Sequence, residues 1–579
     1  MKKIIQQRTI DDSPLSMSEE LPPILKRIYQ SRGVVSSKDL ERSLNNLLPA
    51  DELLDIDRAA ELITETIKSG KRILIVADFD CDGATSCAVA VRGLKLLGAQ
   101  SVSYLVPNRF EYGYGLTPEI VEVAASYQPD LLITVDNGIA SIDGVARARE
   151  LGIQVIVTDH HLQGEQLPDA NAIVNPNRVG DNFSSKNLAG VGVIFYVLLA
   201  CRARMRVQGW FQDDSRPEPN LAVLLDLVAL GTVADLVPLD ANNRILVEQG
   251  LRRIRAGQAC CGINALIKIS GRQATRIVAS DMGFALGPRL NAAGRLEDMS
   301  VGIECLLTDS DHHAIQLAQQ LDDLNQERKS IESDMRTQAF AALDKLNLEE
   351  NNSTMPIAFC LYDEGWHQGV VGILASRIKE HFNRPAVIFA KGEGNEIKGS
   401  ARSIRGLHIR DVLDAVATSH PGLIDKFGGH AMAAGLTLNM NKFDDFREAL
   451  TQEVTRWIHR MDLDGCILTD GYLQDNDFTM EIAELLREAG PWGQGFPEPV
   501  FEGEFKVVQQ RIVGERHLKM ILQPIESTRN IDAIAFNVID QPCPVEEQVI
   551  HAAYKLDVNE YRGQRSVQML VDYLEIQPS

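Results

Sequence analysis

The chain has 579 residues, too many for one hydrophobic core, and at about 150 residues per domain it predicts roughly three to four domains. Its 45% hydrophobic content excludes an intrinsically disordered chain, and its net charge of −22 excludes a broadly basic surface, so any contact with nucleic acid must be confined to a groove. Nine cysteines without a C-x-x-C spacing argue against a zinc ribbon or a disulfide framework and indicate a reducing cytoplasm. The apolar runs are too short or too charged to span a bilayer, so no membrane association is predicted.

The first 70 residues are predicted to be an accessory segment, with two helical patterns and no recognisable chemistry. From residue 71 to about residue 237 the pattern alternates between buried strands and helices, which predicts βαβ units on a parallel sheet. The clearest strands are the apolar runs at 73–77, 131–135 and 155–158. In such sheets, functional sites lie beyond the carboxyl ends of the strands, so the residues that follow these three runs are the first candidates.

Each of these three strands is followed by acidic side chains. An extended D-x-D-x-D after the first strand would place like charges on one side, where they repel unless a cation lies among them. A fourth acid, Asp235, ends the stretch G-T-V-A-D. Carboxylates together with imidazole suit Mn²⁺ or a similar divalent ion, and the set is large enough for two ions. A solvated acidic turn is the alternative for any one motif taken alone. The side chains after the three strands are Asp78, Asp80 and Asp82, then Asp136 and Asn137, then Asp159, His160 and His161.

The second half of the chain shows three further patterns. Apolar residues spaced by three and four predict a long helix from about 314 to 346, whose polar faces favour a connector between domains over a core helix. Residues 356–458 read as a second, smaller α/β lobe, in which glycine-rich turns near Ser400, Arg402 and His430 are either phosphate-binding turns or ordinary tight turns. Beyond residue 463, short strands separated by turns predict a barrel or a sandwich.

The tripeptide Asp-His-His occurs twice, and only the first copy follows a buried strand. The second copy, at 311–313, precedes the long helical pattern. Asp309 or Ser310 is predicted to cap that helix, and Asp311 is favourable in its first turn. No catalytic role is predicted for this copy.

Eight motifs in this order resemble the DHH phosphoesterase superfamily, and within it the bacterial single-strand-specific 5′→3′ DNA exonucleases. The resemblance extends from about residue 21 to the C-terminus. The motifs are specific jointly, although each alone is weak. They are V-A-D-F-D-C-D-G (76–83), N-R-F-E-Y-G-Y-G (108–115), V-D-N-G (135–138), T-D-H-H (158–161), G-T-V-A-D (231–235), G-P-R-L-N-A-A-G-R (287–295), W-H-Q-G-V-V-G-I (366–373) and F-G-G-H-A-M-A-A-G (427–435).

The resemblance implies an α/β multidomain fold in which the smaller lobe grips nucleic acid across a cleft. It also implies that the C-terminal barrel is an OB-fold, which binds single strands through stacking and basic side chains. The expected domains are an N-terminal accessory segment (1–70), a parallel-sheet DHH catalytic domain (71–305), a long connecting helix (306–350), a DHHA1 nucleic-acid-binding domain (351–460) and the C-terminal OB-fold β-barrel (461–579).

Phosphodiester hydrolysis with two Mn²⁺ ions, or Mg²⁺ in their place, is the chemistry that the resemblance implies. Asp136 would bridge the ions, and His161 would give a proton to the leaving 3′-oxygen. Asp78 is either an outer ligand or a hydrogen-bonding residue. The expected catalytic residues are His161, Asp136 and Asp82, and the expected metal ligands are Asp80, Asp82, Asp136, His160 and Asp235.

Substrate binding is expected from a second set of residues, some of which would hold the 5′-terminal phosphate and so fix the polarity of degradation. The chain departs from the family at Ala401, where the pattern G-S-G-R has a glycine, and a glycine with positive φ there would make alanine strained. The phosphate ligands are expected to be Arg109, Arg289, Ser400 and Arg402, and the other substrate contacts Asn137, Asn291, Arg295, His367, Gly429 and His430.

The implied partners are single-stranded DNA with a 5′ end, single-strand-binding protein and a RecQ-type helicase, in recombination and repair, with a monomer as the default state. The nearest alternative is a DHH phosphoesterase that acts on oligoribonucleotides or cyclic dinucleotides, but such chains usually lack the barrel region. A noncatalytic single-strand-binding scaffold is a second alternative, and the retained acids argue against it. An inorganic pyrophosphatase would need neither the polar lobe nor the barrel.

Overall fold

The computed structural model describes residues 3–10, 21–108, 115–212, 216–344, 355–458, 465–514, 516–536, 538, 543–561 and 564–577. The chain divides into two compact units. The sheet-and-barrel unit comprises Gln7–Asp322 and Leu468–Ser579, and the mixed-sheet unit comprises Met1–Gln6 and Asp323–Ile467.

The chain up to Leu307 alternates strands and helices and then becomes entirely helical. Its elements are β1 (Lys3–Gln7), α1 (Pro23–Gln30), α2 (Ile56–Lys68), β2 (Arg72–Ala77), α3 (Cys81–Leu96), β3 (Ser101–Leu105), α4 (Pro118–Ala125), β4 (Leu131–Val135), α5 (Ile142–Glu150), β5 (Gln154–Thr158), β6 (Ala172–Val174), α6 (Gly190–Val207), α7 (Leu225–Ala234), α8 (Ala241–Arg255), α9 (Cys261–Ile269), α10 (Ala279–Asp281), α11 (Gly287–Leu296) and α12 (Ser300–Leu307).

A five-stranded parallel sheet lies at the centre of this region, as the alternating pattern predicts. Its strand order is β3-β2-β4-β5-β6. Strand β4 is buried at every residue, which explains its uninterrupted apolar sequence. Side chains of β2, β4 and β5 pack on one face with residues of α4 and α5. Because β2, β4 and β5 are adjacent and parallel, the segments that follow them meet at one edge of the sheet.

Helix α13 (Asp311–Asp344) confirms the long helix that the leucine spacing predicts. The amide of His313 donates to Ser310 Oγ at 3.3 Å, so Ser310 caps the helix and the second Asp-His-His lies in its first turn. Even at 34 residues α13 is too polar for a bilayer, and no helix among the described residues is long and apolar enough to cross a membrane.

The mixed-sheet unit contains the predicted second α/β lobe. Its sheet order is β10-β11-β9-β8-β7, in which only the pair β7 and β8 is parallel. Residues 323–344 of α13 contribute Met335, Ala339 and Leu343 to an apolar cluster with α14 and this sheet. The elements are β7 (Phe359–Tyr362), α14 (Val371–Phe382), β8 (Ala386–Lys391), β9 (Glu396–Arg402), α15 (Ile409–Ser419), β10 (Lys426–Gly429), β11 (Ala433–Asn439) and α16 (Phe443–Ile458).

The C-terminal region forms a closed five-stranded barrel, which confirms the predicted barrel. The barrel order is β13-β14-β15-β17-β16, and its core includes Phe501, Phe505 and Tyr554. A separate two-stranded sheet pairs β12 with β1. The elements are β12 (Gly465–Thr469), α17 (Met480–Glu488), β13 (Phe501–Val513), β14 (His517–Pro524), β15 (Ile531–Ala535), β16 (Val549–Tyr561) and β17 (Gln564–Ile576).

Candidate active site

The acids that follow β2 are arranged differently from the sequence prediction. The strand ends at Ala77 and α3 begins at Cys81, so the expected extended D-x-D-x-D is wrong. Asp80 is instead the N-cap of α3, and its Oδ1 accepts a hydrogen bond from the Gly83 amide at 3.0 Å. Asp82 lies in the first turn and is buried. The carboxylates still converge, because the chain turns into a helix within three residues of the strand.

Asp136, directly after β4, has a left-handed backbone with φ of 63°. Aspartate is one of the few side chains that adopt this conformation readily, which suits the sharp turn at the end of the strand. Its amide donates to the Thr158 carbonyl at 3.0 Å, which ties the turn to the neighbouring strand β5. Asn137 is buried, and its side-chain amide donates to the carbonyls of Val135 and Val76 at 2.9 and 3.2 Å.

Asp159, after β5, positions both histidines of the first Asp-His-His. Its Oδ1 accepts the backbone amides of His160 and His161 at 2.7 and 3.1 Å and lies 2.7 Å from His161 Nδ1. Its Oδ2 accepts the Ile139 amide at 2.9 Å. The sequence prediction assigned no separate role to Asp159. The signal was its position after a buried strand, which it shares with Asp136.

The predicted ligands from different elements meet around His160. Its Nε2 lies 3.2 Å from Asp136 Oδ1, 3.5 Å from Asp235 Oδ2 and 4.0 Å from Asp82 Oδ2. Asp235 reaches this point as the C-cap of helix α7. Within the part of the chain that the structure describes, three groups have ligand atoms within 4.8 Å of one another and could hold a metal ion, namely Asp82 with His160 and Asp235, Asp136 with His160 and His161, and Asp78 with Asp80 and Asp136.

The electrostatics of the cluster call for a cation. Burial and then the charges of neighbouring acids raise the pKa of Asp136 and Asp235 well above the ordinary range, and they raise the pKa of Asp82 to about 7. Burial lowers the pKa of His161, but its hydrogen bond to Asp159 and the surrounding carboxylates outweigh this and raise it to about 9. A divalent ion would favour the charged carboxylates, so this donor set fits metal binding.

Three hydrogen bonds that the sequence did not predict hold the start of α3 in place. The first amides of α6, from Gly190 and Val191, donate to Asp82 Oδ2 and Oδ1 at 2.6 and 3.0 Å. Asn291 Oδ1 accepts the backbone amide of Cys81 at 2.8 Å. These contacts join residues more than 100 positions apart, which no local pattern reveals.

The other predicted substrate residues of the sheet-and-barrel unit lie on α11, apart from Asn137 and Arg109. Arg289 pairs with Asp322 at 2.8 Å and donates to the Ala285 carbonyl. Arg295 lies in the last turn of α11. Arg109 lies outside the described residues. Substrate binding by these residues and by Asn291 stays a prediction.

The predicted phosphate residues of the mixed-sheet unit lie on β9, and Gly372 leaves room for them. Arg402 Nη1 donates to Ser400 Oγ at 2.9 Å and to the Ala401 carbonyl at 2.8 Å. A Cβ on Gly372, in the first turn of α14, would lie 2.8 Å from Arg402 Nη2 and 2.9 Å from Ser400 Oγ. Ala401 is a buried strand residue paired with Ala434 and is absent from the positive-φ positions, so the strain considered for it does not arise.

The remaining predicted residues of this unit occupy turns. His367 Nδ1 accepts the Gly369 amide at 3.1 Å just before α14. Gly429, at the end of β10, has φ of 146°, and a Cβ there would lie 2.4 Å from the Ala433 carbonyl oxygen. The His430 amide donates to the same carbonyl at 2.8 Å. Gly429 is therefore required by the turn, and substrate contact by His367, Gly429 and His430 stays a prediction.

The parallel sheet with aspartate and histidine side chains gathered at its carboxyl edge places the chain in the class of DHH phosphoesterases. A family model described as the DHH family, N-terminal domain, matches residues 72–232, which contain all the predicted metal ligands apart from Asp235. The DHHA1 domain matches residues 354–456, and the RecJ OB domain matches residues 469–573.

Similarity along the whole chain identifies the particular family. The chain is 54% identical to the single-stranded-DNA-specific exonuclease RecJ of Salmonella typhimurium over 97% of both chains. It is 53% identical to the enzyme of the same name from Escherichia coli K12 over 99% of both. The solved structure of RecJ from Thermus thermophilus in complex with Mn²⁺ is 30% identical, with a TM-score of 0.79, and the match covers 99% of this chain and 80% of that one. The chain belongs to the RecJ family.

Proposed function

We propose that this chain hydrolyses single-stranded DNA from its 5′ end, releases mononucleotides with the help of divalent metal ions, and acts in DNA recombination and repair. The observation that carries the proposal is the meeting of Asp82, Asp136 and Asp235 within 4.0 Å of His160 Nε2. Membership of the RecJ family supplies the substrate class, because relatives over half identical along their whole length bear the name single-stranded-DNA-specific exonuclease.

The proposed cofactors are two Mn²⁺ or Mg²⁺ ions, held by Asp80, Asp82, Asp136, His160 and Asp235. When bound, the ions activate water for attack on phosphorus and stabilise the negative charge that develops there. Asp136 would serve both ions, because it belongs to two of the three ligand groups and, unlike His160, which also belongs to two, it has two carboxylate oxygens to offer. Asp78 belongs to one of these groups, and its Oδ1 also accepts the Phe79 amide at 2.8 Å, so both of its predicted roles have a contact in their support.

His161 is the proposed general acid. Its Nδ1 lies 2.7 Å from Asp159 Oδ1, and this hydrogen bond fixes the ring with Nε2 pointing away from Asp159. The side chain is 29% exposed, so a substrate can reach the ring. Release of the terminal nucleotide breaks a bond between phosphorus and a 3′-oxygen, and that oxygen needs a proton as it leaves. The proposed role of His161 is to give this proton from Nε2.

Recognition of the 5′ phosphate is proposed for Arg402 and Ser400. Burial lowers the pKa of Arg402. Among the described residues its guanidinium has no ion-pair partner, and Nη1 donates to two neutral oxygens, Ser400 Oγ and the Ala401 carbonyl. Helix α14 begins beside these side chains, and its N-cap residue makes no side-chain cap. A guanidinium, a hydroxyl and a helix N-terminus together suit a phosphate group.

The proposal is tested with one single-stranded DNA oligonucleotide labelled at its 5′ end in one sample and at its 3′ end in another, with Mn²⁺ or with chelator. We expect metal-dependent release of the 5′ label as mononucleotide and a ladder of shrinking 3′-labelled products. Binding without cleavage would instead support a scaffold. Turnover of short RNA or cyclic dinucleotides in place of DNA would support the phosphoesterase alternative, which the barrel argues against.

The phosphate assignment has its own test in Arg402→Ala. We expect degradation of a 5′-phosphorylated oligonucleotide to fall by about tenfold or more, with a smaller loss on a 5′-hydroxyl oligonucleotide, because a charge-assisted contact of about 1.5–3 kcal/mol is lost only on the first. The control is Arg405→Ala, which removes the same charge from an exposed position three residues away. An equal loss on both substrates would contradict the assignment.

Partners and location complete the proposal. Single-strand-binding protein and a RecQ-type helicase are the proposed partners, since the substrate is single-stranded and must be exposed from duplex DNA. A monomer in the cytoplasm is the proposed state, in keeping with nine cysteines free of disulfides. Co-sedimentation of the purified chain with each partner tests the two interactions, and light scattering tests whether the chain is a monomer.

A further inference from the structure

Helix α6 begins against the carboxylate of Asp82. Its N-cap residue, Ala189, provides no side-chain cap, so the first amides of this 18-residue helix need acceptors from elsewhere. The Asp82 carboxylate provides an acceptor for each of the first two amides: Oδ2 accepts from Gly190 at 2.6 Å, and Oδ1 accepts from Val191 at 3.0 Å. With both oxygens held by a helix N-terminus, the plane and the direction of this carboxylate are fixed.

Gly190 also lies close to the carboxylate of Asp136. A Cβ at this position would lie 2.6 Å from Asp136 Cβ and 2.6 Å from Asp136 Oδ1. Asp136 has little freedom to retreat, because its backbone is left-handed and its amide is bound to Thr158. Any side chain at 190 must therefore push Asp136 away or separate α6 from Asp82.

A second glycine encloses Asp82 from the opposite helix. A Cβ on Gly231, in α7, would lie 2.9 Å from Asp82 Oδ1 and 2.8 Å from Val191 Cγ1. The Asp82 carboxylate, which belongs to α3, is thus enclosed by the first turn of α6 and by α7 at Gly231. A Cβ on Gly192, two positions further along α6, would have its three nearest neighbours in the side chain of Leu188, at 3.0 Å or more, and none of them in a carboxylate.

We infer that Gly190 is a positioning residue of the metal centre. Its amide orients Asp82, and its missing side chain lets Asp136 approach the same point, so that one backbone position fixes two proposed ligands relative to each other. The inference rests on the proposed metal centre and adds to it a residue that bears no metal-binding group.

The first experiment compares Gly190→Ala with the matched helix variant Gly192→Ala in the full chain. Mn²⁺ affinity is measured by titration calorimetry, and the melting temperature is measured in chelator. We expect Gly190→Ala to bind Mn²⁺ about 10–100-fold more weakly, as for residues that orient metal ligands, while Gly192→Ala stays within about twofold of the parent. Equal Mn²⁺ affinity in the two variants would overturn the inference.

The second experiment decides the matter if Gly190→Ala does not fold. In chelator, Asp80→Asn removes one charge from a crowded acidic cluster and keeps its capping bond to Gly83, so the melting temperature should rise or stay unchanged. Asp82→Asn relieves the same repulsion but turns an amide group toward the N–H groups of α6, so the melting temperature should fall by several degrees. A rise with both variants would show that α6 does not depend on Asp82 and would overturn the inference.

The two proposals fail in different ways. If the parent chain itself binds no Mn²⁺, the proposed metal centre is wrong. If the parent and Gly192→Ala bind Mn²⁺ and Gly190→Ala binds it equally well, the metal centre stands and only the role of Gly190 is wrong.

Discussion

Asp136 is a proposed metal ligand on a left-handed backbone, so the choice of substitution matters. We predict that Asp136→Asn reduces hydrolysis to the level that the unchanged chain shows in chelator. The fold should persist, because asparagine tolerates φ of 63° and the lost charge relieves repulsion among the carboxylates. Asp136→Ala adds about 1 kcal/mol of backbone strain and should melt at a lower temperature than Asp136→Asn. The measurements are the mononucleotide release rate and the melting temperature. Metal-dependent activity in Asp136→Asn would contradict its role as bridging ligand.

The general-acid role of His161 is tested by changing the leaving group. We predict that His161→Ala slows hydrolysis of ordinary DNA by about 10²–10⁴-fold, the usual contribution of a positioned acid. In a second oligonucleotide, sulfur replaces the bridging 3′-oxygen of the terminal nucleotide. That nucleotide then leaves as a thiolate, which needs no proton, so His161→Ala should slow hydrolysis of this substrate far less. The measurement is the rate ratio of the two substrates in parent and variant. An unchanged ratio would show that His161 acts in another way.

At the scale of elements, the sequence predicted those features that depend on local pattern. Apolar runs marked β2, β4 and β5, and the acids after them do meet, because adjacent parallel strands end at one edge. The extended arrangement of Asp78, Asp80 and Asp82 was wrong, because capping by Asp80 starts α3 at once. The amides of Gly190 and Val191 were missed, since their contact with Asp82 spans more than 100 residues. Long-range backbone contacts leave no periodic signal in a single sequence.

Strand β9 contains a glycine whose requirement is packing rather than backbone conformation. A Cβ on Gly399 would lie 2.4 Å from the ring of Phe389, which is fully buried and packed edge-on against Phe443 and Phe446. We predict that Gly399→Ala lowers the free energy of unfolding of the mixed-sheet unit by about 1–3 kcal/mol, because the core is overpacked. The measurement is denaturant unfolding followed by circular dichroism.

Gly435 on the neighbouring strand β11 is the control for this prediction. It is exposed, and a Cβ there meets nothing within 4 Å. Gly435→Ala should therefore be neutral or stabilising by up to about 1 kcal/mol, through the reduced entropy of the unfolded chain. Equal destabilisation by both substitutions would show that β9 has no special packing constraint at Gly399.

At the scale of the whole molecule, the N-terminal segment gains a structural role that its sequence did not suggest. The hydroxyl of Tyr29, in α1, donates to the Ala489 carbonyl at 2.8 Å, and its ring lies 6.0 Å from that of Trp492. Leu239 lies four residues after the proposed ligand Asp235, and its amide donates to the Gln494 carbonyl at 2.7 Å. The segment that precedes the barrel is thus bound to both the N-terminal segment and the parallel-sheet region, within one compact unit.

The buried ion pair between Arg32 and Asp470 makes this cohesion testable. The two side chains are 1% and 0% exposed and form two hydrogen bonds of 2.7 and 3.0 Å. We predict that Asp470→Asn lowers the free energy of unfolding by about 3–5 kcal/mol, because it leaves the guanidinium buried without its counter-charge. Glu122→Gln, which breaks an exposed pair with Arg147, should cost less than about 1 kcal/mol.

Hydrogen exchange distinguishes a shared loss of stability from a local one. If the sheet and the barrel unfold as one cooperative unit, Asp470→Asn should accelerate amide exchange in β4 and in β16 by similar factors, although β4 is more than 300 residues away in the chain. If the barrel were a separately stable module, only β13 to β17 would exchange faster. The parallel sheet would then keep its protection, and the barrel could be removed without loss of the metal centre. The hydrogen bonds from Tyr29 and Leu239 to the segment just before the barrel argue for the first outcome.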